Sequence, residues 1–134
     1  MGRVPGGGVI GETSDLPPEG GSQAVETGLI RRAFRMAVTP GRETEYVRRH
    51  QPIWPDLEAT LLAYGVRTYS IFLDAATSTL FAYVEFDSVE RWEAVARTDV
   101  CQRWWAHMRE LMPSNPDNSP ITSALEEVFH IGER

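Results

Sequence analysis

Three side chains in this sequence have an unperturbed pKa near neutrality, the histidines at 50, 107 and 130. His50 has the most suggestive surroundings. Tyr46 precedes it by four residues, so on a helix the phenol and the imidazole share one face and can meet. Pro52 follows two residues later, interrupts the helical ladder and can turn the ring toward a cavity. A histidine so placed can move protons near pH 7, or it can be a hydrogen-bonded residue at a helix end. His107 and His130 lack comparable neighbours and read as ordinary residues. The second cluster is Trp104-Trp105. Adjacent indoles on a helix point ~100° apart. One should therefore face the core with Cys101, Met108 and Leu111, and the other should lie at its edge. There a ring face can stack on the C–H face of a sugar, or simply pack. Tyr69 and Tyr83 can likewise either pack or hydrogen-bond a hydroxyl.

Other chemistries are excluded or weak. All 13 basic residues are Arg, so Schiff-base and P-loop lysine chemistry are unavailable. The lone Cys101 can form no internal disulfide and no zinc site with a second cysteine. No H-x-x-x-H, no C-x-x-C and no calcium-loop pattern appears, and no serine lies in a nucleophile elbow. Gly6-Gly7-Gly8 precedes no helix and lacks the lysine of a phosphate loop. The reading is a cofactor-free, metal-free domain capable of acid–base chemistry.

The elements that must hold these groups follow from periodicity. Ile30, Phe34, Met36 and Val38 share one face of a first strand, with Arg31 and Arg35 on the other. Thr39-Pro40-Gly41 breaks it. A helical stretch is expected over 42–64, kinked or restarted at Pro52 and Pro55 and ended by Gly65. Two strands over 66–73 and 80–86, joined by a short polar link, form a hairpin. Asp87-Ser88-Val89-Glu90 resembles a capping box opening a helix toward Leu111, and Asp99-Val100-Cys101-Gln102 marks a restart at Asp99. A Pro- and Asn-rich loop leads to a last strand over 122–131. The order β-α-β-β-α-β predicts a ferredoxin-like α+β sandwich. Its outer sheet face would carry Phe72, Phe81, Tyr83 and Val128, too apolar to leave wet, so a homodimer is expected.

Composition agrees. The 134 residues are 42% hydrophobic, enough for one packed domain. Residues 1–28 hold eight of the eleven glycines and no aromatic residue, and they read as a mobile arm or leader before a single domain over 29–134. The formal charge of −6 disfavours nucleic acid or an anionic membrane as partner. No apolar run approaches the ~18 residues of a membrane span. Neither is a secretory signal visible, so a cytoplasmic location is expected.

Three longer motifs go further. Arg48-Arg49-His50-Gln51-Pro52-Ile53-Trp54-Pro55-Asp56-Leu57-Glu58-Ala59 resembles the signature helix of the L-rhamnose mutarotase family. Thr98-Asp99-Val100-Cys101-Gln102-Arg103-Trp104-Trp105 and Asn115-Pro116-Asp117-Asn118-Ser119-Pro120 resemble two further blocks of it. The resemblance spans residues 30–131 and implies a dimeric ferredoxin-like α/β barrel that interconverts the α and β anomers of L-rhamnose. It implies that His50 is the proton donor and that Tyr46, Tyr69, Trp104 and Trp105 contact the sugar. Anomer exchange needs one proton delivered to the ring oxygen and one removed from the C1 hydroxyl, with no redox step or metal. Glu85 and Asp99 are candidates for the base, though each also reads as a strand-edge acid or a helix cap. A cofactor-free monooxygenase of the same architecture and a non-enzymatic ligand-sensing domain are the alternatives.

Overall fold

Strand β1 (Ile30–Ala37) alternates as its sequence dictates: Met36 is buried with Phe34 packed on the same cluster, Ile30 packs against Val66, Val84 and Phe86, and Arg31 and Arg35 point the other way. The chain is described here from a computed structural model covering residues 28–132. The expected arm over 1–28 therefore lies, but for its last residue, outside the described residues.

The predicted helical stretch is two helices. α1 (Glu43–Arg49) has acids in its first turn and Arg48 and Arg49 in its last, which suits the helix dipole at both ends. Residues 50–54 break it, and α2 (Pro55–Ala63) restarts with Pro55 in the first turn, where no backbone donor is needed. Gly65 follows with φ +99°, the left-handed conformation expected after a helix end. A Cβ at Gly65 would meet the Asp87 carboxylate, so any side chain there requires Asp87 to shift.

β2 (Val66–Asp74) and β3 (Thr79–Phe86) form the expected hairpin, paired from Val66 opposite Phe86 to Asp74 opposite Thr79. α3 (Val89–Val95) and α4 (Asp99–Met108) follow, the latter running into a 3₁₀ turn over Arg109–Leu111. Both caps lie one residue from their expected place. Ser88 and Thr98 are extended, and each hydroxyl oxygen accepts from the amide three residues on, Arg91 and Cys101 respectively. Asp87 instead pairs with Arg67 and Arg91, and Asp99 lies inside the first turn of α4.

The final strand is shorter than its sequence suggests. β4 (Ser123–Leu125) pairs with β1 only from Arg35 to Ala33. Beyond Leu125 the chain leaves the sheet edge, tied to it by the 2.6 Å ion pair of Arg31 with Glu127. An alternating apolar pattern marks residues that can pair, but residues 126–131 are not paired into the sheet as strand. Val128, Phe129 and Ile131 are 87%, 76% and 82% exposed.

The four strands form one antiparallel sheet in the order β2-β3-β1-β4. Its inner face supplies Met36, Leu80, Ala82, Val84 and Phe86 to the core, against Tyr46, Leu57, Val100, Trp104 and Met108 from the helices. On its outer face Phe72 and Phe81 are exposed. The architecture is the ferredoxin-like α+β sandwich.

Candidate active site

The C-terminal end of α1 sets the geometry. Tyr46, one turn before that end, is buried in the core. His50 caps the helix, and its Nδ1 lies 2.9 Å from the carbonyl oxygen of Tyr46. A carbonyl can only accept, so Nδ1 carries the hydrogen and Nε2 keeps the lone pair of the neutral ring. The two rings stack with centroids 4.4 Å apart. Trp104 from α4 meets the imidazole edge-on at 5.2 Å. Burial holds the His50 pKa below its ordinary value, against the smaller upward pull of the bond to Tyr46. Among the described residues no carboxylate pairs with His50.

Tyr69 enters from the inner face of β2, with Phe34 and Trp92 packed edge-on to its ring at 6.4 and 5.8 Å. Burial raises the pKa of Tyr46, and burial with the proximity of Tyr46 and Cys101 raises that of Tyr69, so both phenols stay protonated at neutral pH. Among the described residues neither hydroxyl has a hydrogen-bond partner. Buried polar groups are normally paired, so two such hydroxyls are suited to an incoming polar guest.

The two indoles divide as their spacing predicts. Trp104 is buried with Val100, Met108 and Leu111, whereas Trp105 is half-buried at the edge of the same cluster. A cleft of about 1210 Å³ between sheet and helices is lined by Tyr46, His50, Tyr69, Trp92, Trp104 and Trp105. Cys101 also lines it, with its thiol buried and pushed up to about 12. Aromatic walls with a few convergent polar groups are what a small polyhydroxylated ring requires. Among the described residues no His, Cys, Asp or Glu group could hold a metal.

Three sequence expectations need correction. Glu85 is on the outer face of the sheet, where the Tyr83 hydroxyl donates to it at 2.6 Å, and neither residue lines the cleft. Strand alternation alone explains this, since Val84 and Phe86 take the inner face. Asp99 is 86% exposed and paired with Arg103, away from the cleft. His107 does have company: it lies tilted at 5.2 Å on Trp54, whose ring meets Trp104 at 5.1 Å. Trp92 was passed over entirely. It stacks on Phe86 at 5.1 Å, and its spacing from Val89 on one helix face was the available signal.

An antiparallel sandwich carrying an aromatic cleft and one partly buried imidazole belongs to a class of small α+β proteins with several activities. A protein described as a putative antibiotic biosynthesis monooxygenase, from Nitrosomonas europaea, superposes with a TM-score of 0.55 over 78% of this chain and 95% of its own, at 10% identity, and shares the fold alone. An L-rhamnose mutarotase from Formosa agariphila superposes with a TM-score of 0.70 at 39% identity, covering 77% of this chain and 99% of that one. The family profile described as L-rhamnose mutarotase matches residues 31–131. L-rhamnose mutarotases from Shigella flexneri serotype 5b and Escherichia coli K12 are 59% and 58% identical over 103 residues, which is 77% of this chain and 99% of each relative. The chain belongs to the L-rhamnose mutarotase family.

Proposed function

We propose that this protein interconverts the α and β anomers of L-rhamnose, with His50 as the group that moves the proton. The observation carrying the proposal is the His50 ring: neutral, bonded through Nδ1 to Tyr46, and opposed by no carboxylate. The C1 hydroxyl oxygen and the ring oxygen are both attached to C1. Nε2 takes the proton from the C1 hydroxyl, and the imidazolium delivers it to the ring oxygen as the C1 bond to that oxygen breaks. The open aldehyde rotates about C1–C2. Closure on its other face runs the same transfers in reverse. One residue thus serves as base and then acid, which accounts for a cleft without Glu85 or Asp99. A positioned proton carrier contributes roughly 10²–10⁴-fold.

The remaining groups hold the sugar. The Tyr46 and Tyr69 hydroxyls donate to its oxygens, and the faces of Trp104 and Trp105 receive its C–H surface. Family membership sets aside the monooxygenase and the ligand-sensing alternatives, since the first shares the fold alone.

The working unit is a homodimer. Phe72 and Phe81 on the outer sheet face, together with Val128, Phe129 and Ile131, are more apolar surface than a lone protomer keeps in water. No described helix is long and apolar enough to cross a membrane. We assign the enzyme to the cytoplasm, where its one buried thiol needs no oxidising partner. Saturation-transfer NMR on equilibrated L-rhamnose tests the activity: protein should speed magnetisation exchange between the anomeric protons, and an unchanged exchange rate overturns the proposal.

A further inference from the structure

We infer that Arg49 is a positioning residue for His50, a role that rests on the anomer-exchange reading above. Arg49 directly precedes His50, and its side chain is 12% exposed. All three guanidinium nitrogens are engaged. Nε donates to Glu45 one turn back on α1 at 2.6 Å. Nη1 donates to the carbonyl oxygen of His107 at 2.6 Å, and Nη2 to Glu110 at 2.6 Å. The His107 carbonyl lies in the last turn of α4.

One planar fork therefore joins the C-terminal end of α1 to the C-terminal end of α4. His50 hangs from the first end and Trp104 lies one turn before the second, with their rings 5.2 Å apart. The bridge matters because α1 has seven residues and buries only Tyr46. So short a helix has little stability of its own, and its last turn is where fraying begins. Without the fork, the backbone carrying His50 would be free to drift from Trp104 while Tyr46 kept its place in the core. Lysine cannot replace the fork, since a compact ammonium does not reach three acceptors in one plane.

The test compares Arg49→Ala, Arg49→Lys and Glu110→Gln with a control, Arg91→Ala, which breaks an ion pair with Asp87 remote from His50. Turnover on L-rhamnose should fall about 10- to 100-fold in both Arg49 variants, as expected for a misplaced proton carrier, while KM changes little. Glu110→Gln, a surface change that leaves the fold intact, should show a smaller loss in the same sense. Guanidinium ion should restore part of the turnover of Arg49→Ala, and Arg91→Ala should keep full turnover. The His50 ring nitrogen and carbon shifts, read by NMR, should move in each Arg49 variant and not in Arg91→Ala. That last readout does not depend on activity, so it judges Arg49 even if the wild-type protein leaves rhamnose untouched. Turnover loss only in step with the unfolded fraction, or unmoved His50 signals, overturns the inference.

Discussion

His50 and Tyr46 touch twice: the imidazole Nδ1–H meets the Tyr46 carbonyl oxygen at 2.9 Å, and the two rings stack at 4.4 Å. The first contact selects the tautomer and the second fixes the plane of the ring. Nε2 is left as the only nitrogen able to exchange a proton with a guest. Replacing His50 by Ala should collapse turnover by roughly 10²–10⁴-fold while most rhamnose affinity survives in the aromatic walls. His50→Asn should be nearly as inactive yet bind rhamnose better than Ala, because the amide keeps a hydrogen bond without a titrating proton. Calorimetric binding beside exchange rates checks both, and near-full exchange in His50→Ala would reduce the residue to a structural one.

Acidity should act through the same ring. Burial sets its folded pKa below 6.5, and the neutral ring is the form that accepts a proton. Exchange should therefore be level above pH 6.5 and fall as pH drops through that lower value. Stability follows the same sign: between the two pKa values the unfolded chain binds more protons, so the contribution of His50 is complete above 6.5 and is lost toward acid. Denaturant titrations from pH 4.5 to 7.5 should show a shallower acid loss in His50→Asn. A rate that instead rises steadily toward acid contradicts the proton cycle.

The two indoles should separate in their effects. Trp104 is 8% exposed within the main core cluster, so Trp104→Ala should cost ~3–5 kcal/mol of stability as well as sugar affinity. Trp105→Ala should weaken rhamnose binding at a smaller cost to the fold. Equal melting temperatures and unchanged affinity in both variants would refute the division.

Assembly can be read by light scattering. The domain should give a dimer mass at micromolar concentration, and Val128→Asp with Phe129→Asp should shift it toward monomer. A monomer mass for the unaltered protein sinks the dimer. Removing residues 1–27 should leave the dimer and the activity intact.

Gly65→Ala should destabilise by about 1–3 kcal/mol, since a Cβ there meets the Asp87 carboxylate and φ is +99°. The strain would also push Asp87 from Arg67 and Arg91. Thermal melts decide it, and an unshifted midpoint would refute both the clash and the backbone strain.

Much of this was legible because it is local. Periodicity marks β1 through β3, the prolines mark the break between α1 and α2, and the four-residue spacing of Tyr46 and His50 brings their rings together. What was not legible depends on neighbours distant in sequence. The caps shifted by one because the hydroxyls of Ser88 and Thr98 reached the third amide while Asp87 was drawn to Arg67 and Arg91. The last strand stopped at Leu125, although β1 runs on to Ile30, because an alternation pattern shows which residues can pair and not how far pairing continues. His107 and Trp92 gained their importance from rings on other elements, and Arg49 from a carbonyl and a carboxylate 58 and 61 residues away.

Cys101 has a practical corollary. The chain holds a single sulfhydryl, buried and with its ionisation pushed up to about 12, so at neutral pH the folded protein offers almost no thiolate to an electrophile. Labelling by a disulfide reagent should then proceed mainly through molecules that have opened. The speed at which colour develops, with no mutation and no attached dye, becomes a clock for how often this fold breathes.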